Sequence, residues 1–230
     1  MAEINTLRGK ATLPQTLSQH VAEIVRSRII SGHYLPGDSL PETEFQKEFG
    51  CSRAPIREAF RILSESGLVH HKPRRGFSVH CHDADSLKDL YRLRALLESF
   101  VIDEIAERAD LSVLTERLEK LLESMDQSFL QNDLDIYFGI NVEFHNTLIE
   151  FADNKPLERI STSLNEMSLP VRNYLLRRKF PDRSIYRYHK ELVEHIKNRE
   201  FSEARSLVKS HVLNNLEDLA RYYPANLKVC

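Results

Sequence analysis

Glycine is distributed very unevenly along this chain of 230 residues. Six of the seven glycines lie before residue 80, and only Gly139 lies after it. Glycine marks turns because it adopts backbone conformations that other residues avoid. The chain is therefore expected to be mostly α-helical, with a small turn-rich domain over 1–80 followed by an all-helical bundle over 81–230.

Three helices and two strands are predicted in the first 80 residues. Residues 1–14 are polar and mixed, and they are expected to form a mobile tail. Gly50 is the expected end of the second helix, and Ser52 is the expected N-cap of the third. The helices are expected at about 16–31, 41–49 and 52–66, and two short strands flank a turn at 72–76.

Six helices are predicted in the remainder, because its apolar residues recur at helical spacing. No apolar run approaches the ~18 residues of a membrane-spanning helix. The N-terminus also lacks the apolar stretch of a secretion signal, so the protein is expected in the cytoplasm. The six helices are expected at about 85–108, 111–131, 133–152, 155–177, 184–198 and 201–222.

The third helix carries an apolar face and an arginine face. Its apolar residues share an arc of about 100°: Ile56, Ala59, Phe60 and Leu63. Arg53, Arg57 and Arg61 recur every four residues on a neighbouring arc, so they would point outward when the apolar arc is buried. The planar guanidinium fork of arginine matches guanine in the major groove or a DNA phosphate. This pattern favours DNA as the partner over an enzyme substrate.

The predicted hairpin turn is also basic. Lys72, Arg74 and Arg75 place three cations at its tip, and Gly76 allows the backbone to approach a partner closely. Such a tip suits phosphates or the minor groove, where arginine is favoured. Residues up to 80 carry 11 Lys and Arg against 8 Asp and Glu, whereas the remainder carries 21 against 26. DNA binding is therefore expected at the N-terminal end only.

Together these segments resemble the winged helix-turn-helix of the GntR family of bacterial transcription regulators. The matching stretches are 35–40, 52–60, 67–69 and 75–76. The resemblance implies that the operator is contacted from the helix by Ser52, Arg53, Ala54 and Arg57, and from the wing by Arg75 and Gly76. Arg74 is added as a DNA contact because it is one of the cations at the hairpin tip. Some relatives have a basic residue at the start of the second helix; here that residue is Glu44, and no DNA contact is assigned to it.

Three histidines lie on apolar stripes of three different helices of the predicted bundle: His145, His189 and His211. Taken singly, such a residue is more often a hydrogen-bonded core histidine than a ligand. Three of them on facing helices can converge on one metal ion, because neutral imidazole is a common ligand for zinc and similar ions. Asn141 lies one helical turn before His145.

Arg94 also lies on an apolar stripe, where an unpaired cation is costly. It can extend its charge to the surface, pair with Glu98, or meet an anionic ligand. The last role follows from chemistry, because a guanidinium binds a carboxylate through two hydrogen bonds. Arg172 is a second candidate for that role, and the alternatives stay open at the level of the sequence.

The helical part resembles the FCD ligand-binding domain of the FadR subgroup, and its six helices resemble the VanR-like branch. In many such domains an Asp and three His hold a metal, and the matching positions here are Asn141, His145, His189 and His211. The resemblance implies a divalent ion, zinc first and manganese or nickel next, with weaker binding because Asn141 replaces the charged Asp. It also implies a small carboxylate as effector, and the chemistry of Arg94 makes that residue its expected contact.

The leading hypothesis is a ligand-responsive transcription regulator and not an enzyme. Two-fold symmetry would match a near-palindromic operator in double-stranded DNA, which predicts a homodimer. Two alternatives stay open: a helical metalloenzyme that uses the His cluster, and a DNA-binding regulator whose helical domain only dimerises. The Glu-x-x-His pairs of a di-iron bundle are missing from the sequence, which weakens the enzyme alternative.

Overall fold

The structure, a computed structural model, describes residues 15–180, 182 and 184–222, without the side chains of 184 and 220–222. The expected tail over 1–14 lies outside this range. The N-terminal elements are α1 (Leu17–Ile30), β1 (Ser39–Leu40), α2 (Glu42–Phe49), α3 (Arg53–Glu65), β2 (Val69–Lys72) and β3 (Gly76–Val79). The three helices and the hairpin strands confirm the expected order of elements.

The core of the N-terminal domain orients α3. Phe60 of α3 lies at its centre, with ring centroids 5.1 Å from both Phe45 of α2 and Phe77 of β3. All three rings are buried, and burying a side chain of this size contributes about 1.5–3 kcal/mol. Because this face of α3 is fixed against α2 and the sheet, the opposite face points outward.

The short strand β1 was not predicted, because two residues are too few to show the alternation of a strand. It pairs antiparallel with β3, where Leu40 lies opposite Phe77. The sheet therefore has three strands in the order β1-β3-β2. Gly50 ends α2 with φ 60°, the left-handed conformation expected of a glycine at that place.

The helices of the bundle begin and end within two residues of the predicted positions. Helix α4 packs along α9, and α5 packs along α6. None of the described helices combines the length and the apolar character that crossing a membrane requires. The bundle consists of α4 (Ala84–Ala106), α5 (Ser112–Leu130), α6 (Leu134–Phe151), α7 (Lys155–Lys179), α8 (Ser184–Lys197) and α9 (Phe201–Tyr222).

Helix α7 also contacts the N-terminal domain. Its Glu166 accepts a hydrogen bond from Arg26 Nε of α1 at 2.8 Å, and Asn173 Nδ2 donates to the Ile30 carbonyl at 2.6 Å. Pro170 lies between these two contacts inside the helix. Because proline has no N–H, the Glu166 carbonyl lacks its usual helical partner. The contact between the two domains is therefore made at a weakened turn of α7.

Candidate DNA surface and effector cavity

The arginine face of α3 is open to solvent. The side chains of Arg53 and Arg57 are 65% and 52% exposed, and Ser52 and Ala54 are exposed beside them. Ser52 is the N-cap, as expected, but its hydroxyl makes no capping hydrogen bond. The hydroxyl and the first-turn amides of α3 are therefore available to a phosphate.

The turn between β2 and β3 presents its arginines to solvent. Lys72 pairs with Gly76, and the Arg75 amide donates to the Lys72 carbonyl at 3.0 Å. Arg74 adopts φ 66° and Gly76 adopts φ 81°. A left-handed conformation costs about 1–2 kcal/mol in a residue with a Cβ, so the tip holds Arg74 at an energetic cost. Strain of this kind clusters at positions that contact a ligand.

Helix α3 and the hairpin form neighbouring parts of one surface. Arg53 shares a shallow groove of about 300 Å³ with Arg75 and Gly76. Ala54 and Arg57 share a groove of about 350 Å³ with residues of the hairpin. We call the seven residues predicted to contact the operator the candidate DNA surface: Ser52, Arg53, Ala54, Arg57, Arg74, Arg75 and Gly76.

The three arginines of α3 differ in the acidic side chains that they contact. Two glutamates of the same helix hold Arg61, so its charge is balanced locally. Arg53 and Arg57 instead share Glu42, the first residue of α2. Glu42 Oε2 pairs with Arg53 Nε, and Oε1 lies 3.6 Å from Arg57 Nε. One carboxylate therefore contacts both arginines of the candidate DNA surface that lie on α3.

The three histidines of the bundle approach one another from α6, α8 and α9. The ring centroids of His145 and His189 are 5.6 Å apart, and those of His189 and His211 are 6.3 Å apart. Tyr188 lies beside them, and its ring stacks on His211 with centroids 3.5 Å apart. Burial lowers the pKa of all three histidines, to about 4 for His189. The cluster is therefore neutral at pH 7.

A chain of hydrogen bonds crosses this cluster. Arg172 Nη2 donates to Asn141 Oδ1 at 2.9 Å, which fixes the orientation of the amide. Asn141 Nδ2 lies 2.9 Å from His189 Nε2, and His189 Nδ1 lies 2.9 Å from the Ile185 carbonyl. Because an amide nitrogen only donates, His189 carries its proton on Nδ1 and accepts at Nε2.

The cluster supplies metal-type donors without surrounding a single point. A histidine whose Nδ1 bonds to a carbonyl commonly offers Nε2 to a metal. Here His189 Nε2 accepts from Asn141, and His211 Nε2 lies 3.2 Å from Asn215 Nδ2. Within the described part of the chain, no three His, Cys, Asp or Glu side chains are placed to share an ion. A metal would have to displace the Asn141 amide from His189.

Arg94 pairs with Glu98, one of the alternatives that the sequence left open. Its Nη2 donates to Glu98 Oε1 at 2.7 Å, and its guanidinium lies 5.0 Å from the centre of the Tyr91 ring. Burial lowers the pKa of Arg94, but Glu98 and Tyr91 outweigh that effect and the pKa is raised. Glu98 Oε2 also lies 3.6 Å from His145 Nδ1. Arg94 is thus a buried cation balanced by one carboxylate.

Arg172 is a second cation of this cavity, and the ion pairs of the described residues do not include it. Its hydrogen-bond acceptor is the neutral Asn141 amide. Burial, and then repulsion from Arg94, lowers the pKa of Arg172 to about 10, so it stays charged at pH 7. Both arginines line a cavity of about 60 Å³ together with the three histidines, which has room for a few water-sized groups. Its positive charge favours an anion.

The chain matches two protein-family descriptions. "Bacterial regulatory proteins, gntR family" covers residues 17–79, which contain the candidate DNA surface, and "FCD domain" covers residues 89–214, which contain the cavity. A DNA-binding domain joined to an effector-binding domain defines a ligand-responsive class of transcription regulator. The chain belongs to the GntR family, and its helical part is an FCD domain.

Two relatives from Bacillus subtilis (strain 168) match most of the chain. The HTH-type transcriptional regulator YdhC is 30% identical over 196 residues, which cover 85% of this chain and 87% of the relative. The gluconate operon transcriptional repressor is 30% identical over 207 residues, which cover 86% and 82%. Both are regulators by name, and the enzyme alternative is therefore set aside.

Solved structures agree with the fold. E. coli McbR/YncC superposes with a TM-score of 0.78 at 20% identity, covering 92% of this chain and 100% of that one. A GntR regulator from Rhodococcus sp. RHA1 superposes with a TM-score of 0.75 at 24% identity, covering 89% and 98%. The order of a winged helix-turn-helix followed by a helical bundle is thus shared.

Some contacts of the site were not predicted from the sequence. Glu42 was not considered, because its role depends on how α2 crosses α3. Tyr188 precedes His189 directly, yet its stacking on His211 depends on the rotation of α8 against α9. The sequence feature that could have drawn attention to Glu42 is that it is an acidic residue in the basic N-terminal part of the chain.

Proposed function

We propose that the protein binds a near-palindromic operator as a homodimer and that a small carboxylate in the cavity modulates this binding. The candidate DNA surface supports the first part. Its helix residues would enter the major groove, while the wing arginines contact phosphates or the minor groove. Two copies of the surface related by a two-fold axis would read two half-sites.

An exposed apolar stripe on α4 supports the homodimer. Leu93, Leu96 and Phe100 follow one another at helical spacing and are 43%, 65% and 42% exposed. Other exposed apolar side chains among the described residues are scattered over several elements. Helix α4 begins shortly after β3, so pairing two copies through α4 would also set the distance between the two DNA surfaces.

Leu96→Glu should convert the dimer to a monomer, because it places a charge in the middle of the paired stripe. Leu130→Glu, at an equally exposed leucine on α5, is the matched control and should stay dimeric. Light scattering after gel filtration measures both masses. A dimeric Leu96→Glu variant, or a monomeric wild type, would contradict pairing through α4.

The charge of Arg172, which forms no ion pair among the described residues, carries the effector proposal. Arg94 is already balanced by Glu98, so Arg172 is the stronger contact for an incoming carboxylate and Arg94 the neighbouring one. Neutral histidines and Asn141 add polar groups around the same cavity. A thermal-shift screen of small carboxylic acids tests this part, since a ligand that binds the folded state raises the melting temperature.

Helix α7 supports coupling between the cavity and the DNA surface. It carries Arg172 on the cavity side, and Glu166 and Asn173 on the side that contacts α1. Pro170 lies within this segment and weakens the helix there. An anion that pulls Arg172 away from the Asn141 amide would move a helix that is bonded to the DNA-binding domain. The size of the effect is limited by the difference in the ligand's affinity for the two states.

A divalent ion at Asn141, His145, His189 and His211 is the remaining part of the proposal, with zinc first and manganese or nickel next. Three neutral imidazoles from three helices support it. The amide of Asn141, which carries no charge, and its bond to His189 both disfavour tight binding. When bound, the ion would supply an additional positive charge for an effector carboxylate.

The metal proposal predicts that purified wild-type protein carries a divalent ion and that His189→Ala loses it. His195→Ala is the control, because His195 lies on the same helix but bonds to Glu200 at 2.7 Å, outside the cavity. Elemental analysis under non-chelating conditions measures the content. Equal metal in all three proteins, or none in any of them, would remove the ion from the proposal.

A further inference from the structure

Glu42 occupies an unusual place for an acidic residue. Its side chain is only about 10% exposed, yet it lies beside arginines that are more than half exposed. It contacts both of them: Oε2 pairs with Arg53 Nε, and Oε1 lies 3.6 Å from Arg57 Nε. The Glu42 carboxylate, on α2, therefore bridges arginines on two successive turns of α3.

The contacts involve Nε of each arginine. A guanidinium carries five N–H donors in one plane, so binding at Nε leaves the terminal Nη groups for another partner. Those terminal groups form part of the fork that matches guanine or a phosphate. Glu42 thus restricts how the two side chains can rotate without occupying the atoms at their tips.

A negative charge at this place has opposite effects on two kinds of DNA binding. It opposes the attraction of any DNA backbone, which depends on net positive charge. It also reduces the number of orientations that Arg53 and Arg57 can adopt, which lowers the ordering cost of reading a base edge. The electrostatic effect would weaken both non-specific and operator binding, whereas the reduced ordering cost would favour operator binding.

We propose that Glu42 is a positioning residue for operator recognition, which holds Arg53 and Arg57 for base contact and weakens binding to other sequences. The inference rests on the proposed function of the α3 surface and extends it to a residue outside that surface. Removing the charge of Glu42 should therefore strengthen binding to unrelated DNA, whereas removing a basic residue that only contributes charge would weaken it.

Glu42→Gln tests the proposal with the full-length protein, using an operator selected from a random duplex library and an unrelated duplex of equal length. Glu44→Gln is the matched control, because Glu44 lies on the same helix, is exposed and undergoes the same change of charge. Both variants should bind the unrelated duplex more tightly than wild type does. Only Glu42→Gln should lose discrimination, with the ratio of operator to unrelated affinity falling roughly tenfold.

Fluorescence anisotropy, repeated at two salt concentrations, measures the affinity of each variant for the operator and for the unrelated duplex. An unchanged ratio in Glu42→Gln, or equal behaviour of the two variants, would overturn the positioning role. Glu42→Asp keeps the charge on a shorter side chain and replaces Glu42→Gln if that variant fails to fold. In Glu42→Asp the ratio of operator to unrelated affinity should fall, while the affinity for the unrelated duplex stays at the wild-type level. A preserved ratio in Glu42→Asp would overturn the proposal. Failure of the α3 surface itself would show separately, as wild-type operator affinity in Arg57→Ala.

Discussion

Arg57→Ala should lower operator affinity by about 10- to 100-fold and leave the melting temperature of the protein unchanged. A well-placed bidentate contact to a base contributes about 1–3 kcal/mol of discrimination. The side chain is 52% exposed, so its removal leaves no fully buried cavity. Binding to unrelated DNA should fall much less, because only one of several positive charges is lost.

Arg61→Ala is the control for this prediction. Arg61 lies one turn further along α3, but Glu58 Oε1 lies 2.8 Å from its Nη2 and Glu65 pairs with its Nη1. Its charge is therefore balanced, and its removal should change operator affinity less than threefold. Anisotropy with the selected operator measures both variants. Equal losses in the two would mean that α3 contributes charge without reading sequence.

Acid should destabilise the bundle steeply between about pH 6.5 and pH 4. Burial lowers the pKa of all three histidines, so the cluster stays neutral in the folded protein at pH values where the unfolded chain binds protons. The free energy of unfolding is not reduced by this effect above the unfolded-state histidine pKa of about 6.5, and it decreases as the pH drops below that value. A histidine that stays neutral in the folded state removes about 1.4 kcal/mol per pH unit, so His189 alone removes about 2 kcal/mol by pH 5, and His145 and His211 add to the loss in the same direction.

Urea unfolding followed by circular dichroism, in the presence of a chelator, measures this loss as a function of pH. His189→Gln should be less stable at pH 7 but should show a slope reduced by about one proton. His20→Gln, at an exposed histidine on α1, should keep the wild-type slope. A wild-type stability that does not change between pH 7 and pH 5 would contradict the neutral burial of the cluster.

The elements of the fold could be predicted because their signals are local. Ser52 and Gly67 bracket α3 in the sequence, and the apolar stripe of α3 is the face that the structure buries. The long helices of the bundle follow from the same periodicity and from the scarcity of glycine. Strand β1 gives no such signal, because its two residues are defined only by pairing with β3.

The composition of the cavity could be predicted, but the pairing inside it could not. Helical faces placed His145, His189 and His211 on the inside, and the structure brings them together. Whether Arg94 or Arg172 keeps an unbalanced charge depends on distances of a few ångströms between side chains. Glu98, one turn after Arg94, pairs with it, whereas Arg172 donates to the neutral Asn141 amide and forms no ion pair within the described part of the chain.

The central claim is that an anion bound at Arg172 changes operator affinity. It is tested by measuring operator affinity with and without the carboxylic acid that gives the largest thermal shift, in wild type, Arg172→Ala and Arg159→Ala, an exposed control on α7. The account predicts that the acid changes the affinity of wild type and Arg159→Ala at least fivefold, and that Arg172→Ala binds the operator without responding. An acid that binds the wild type but leaves its operator affinity unchanged would contradict it.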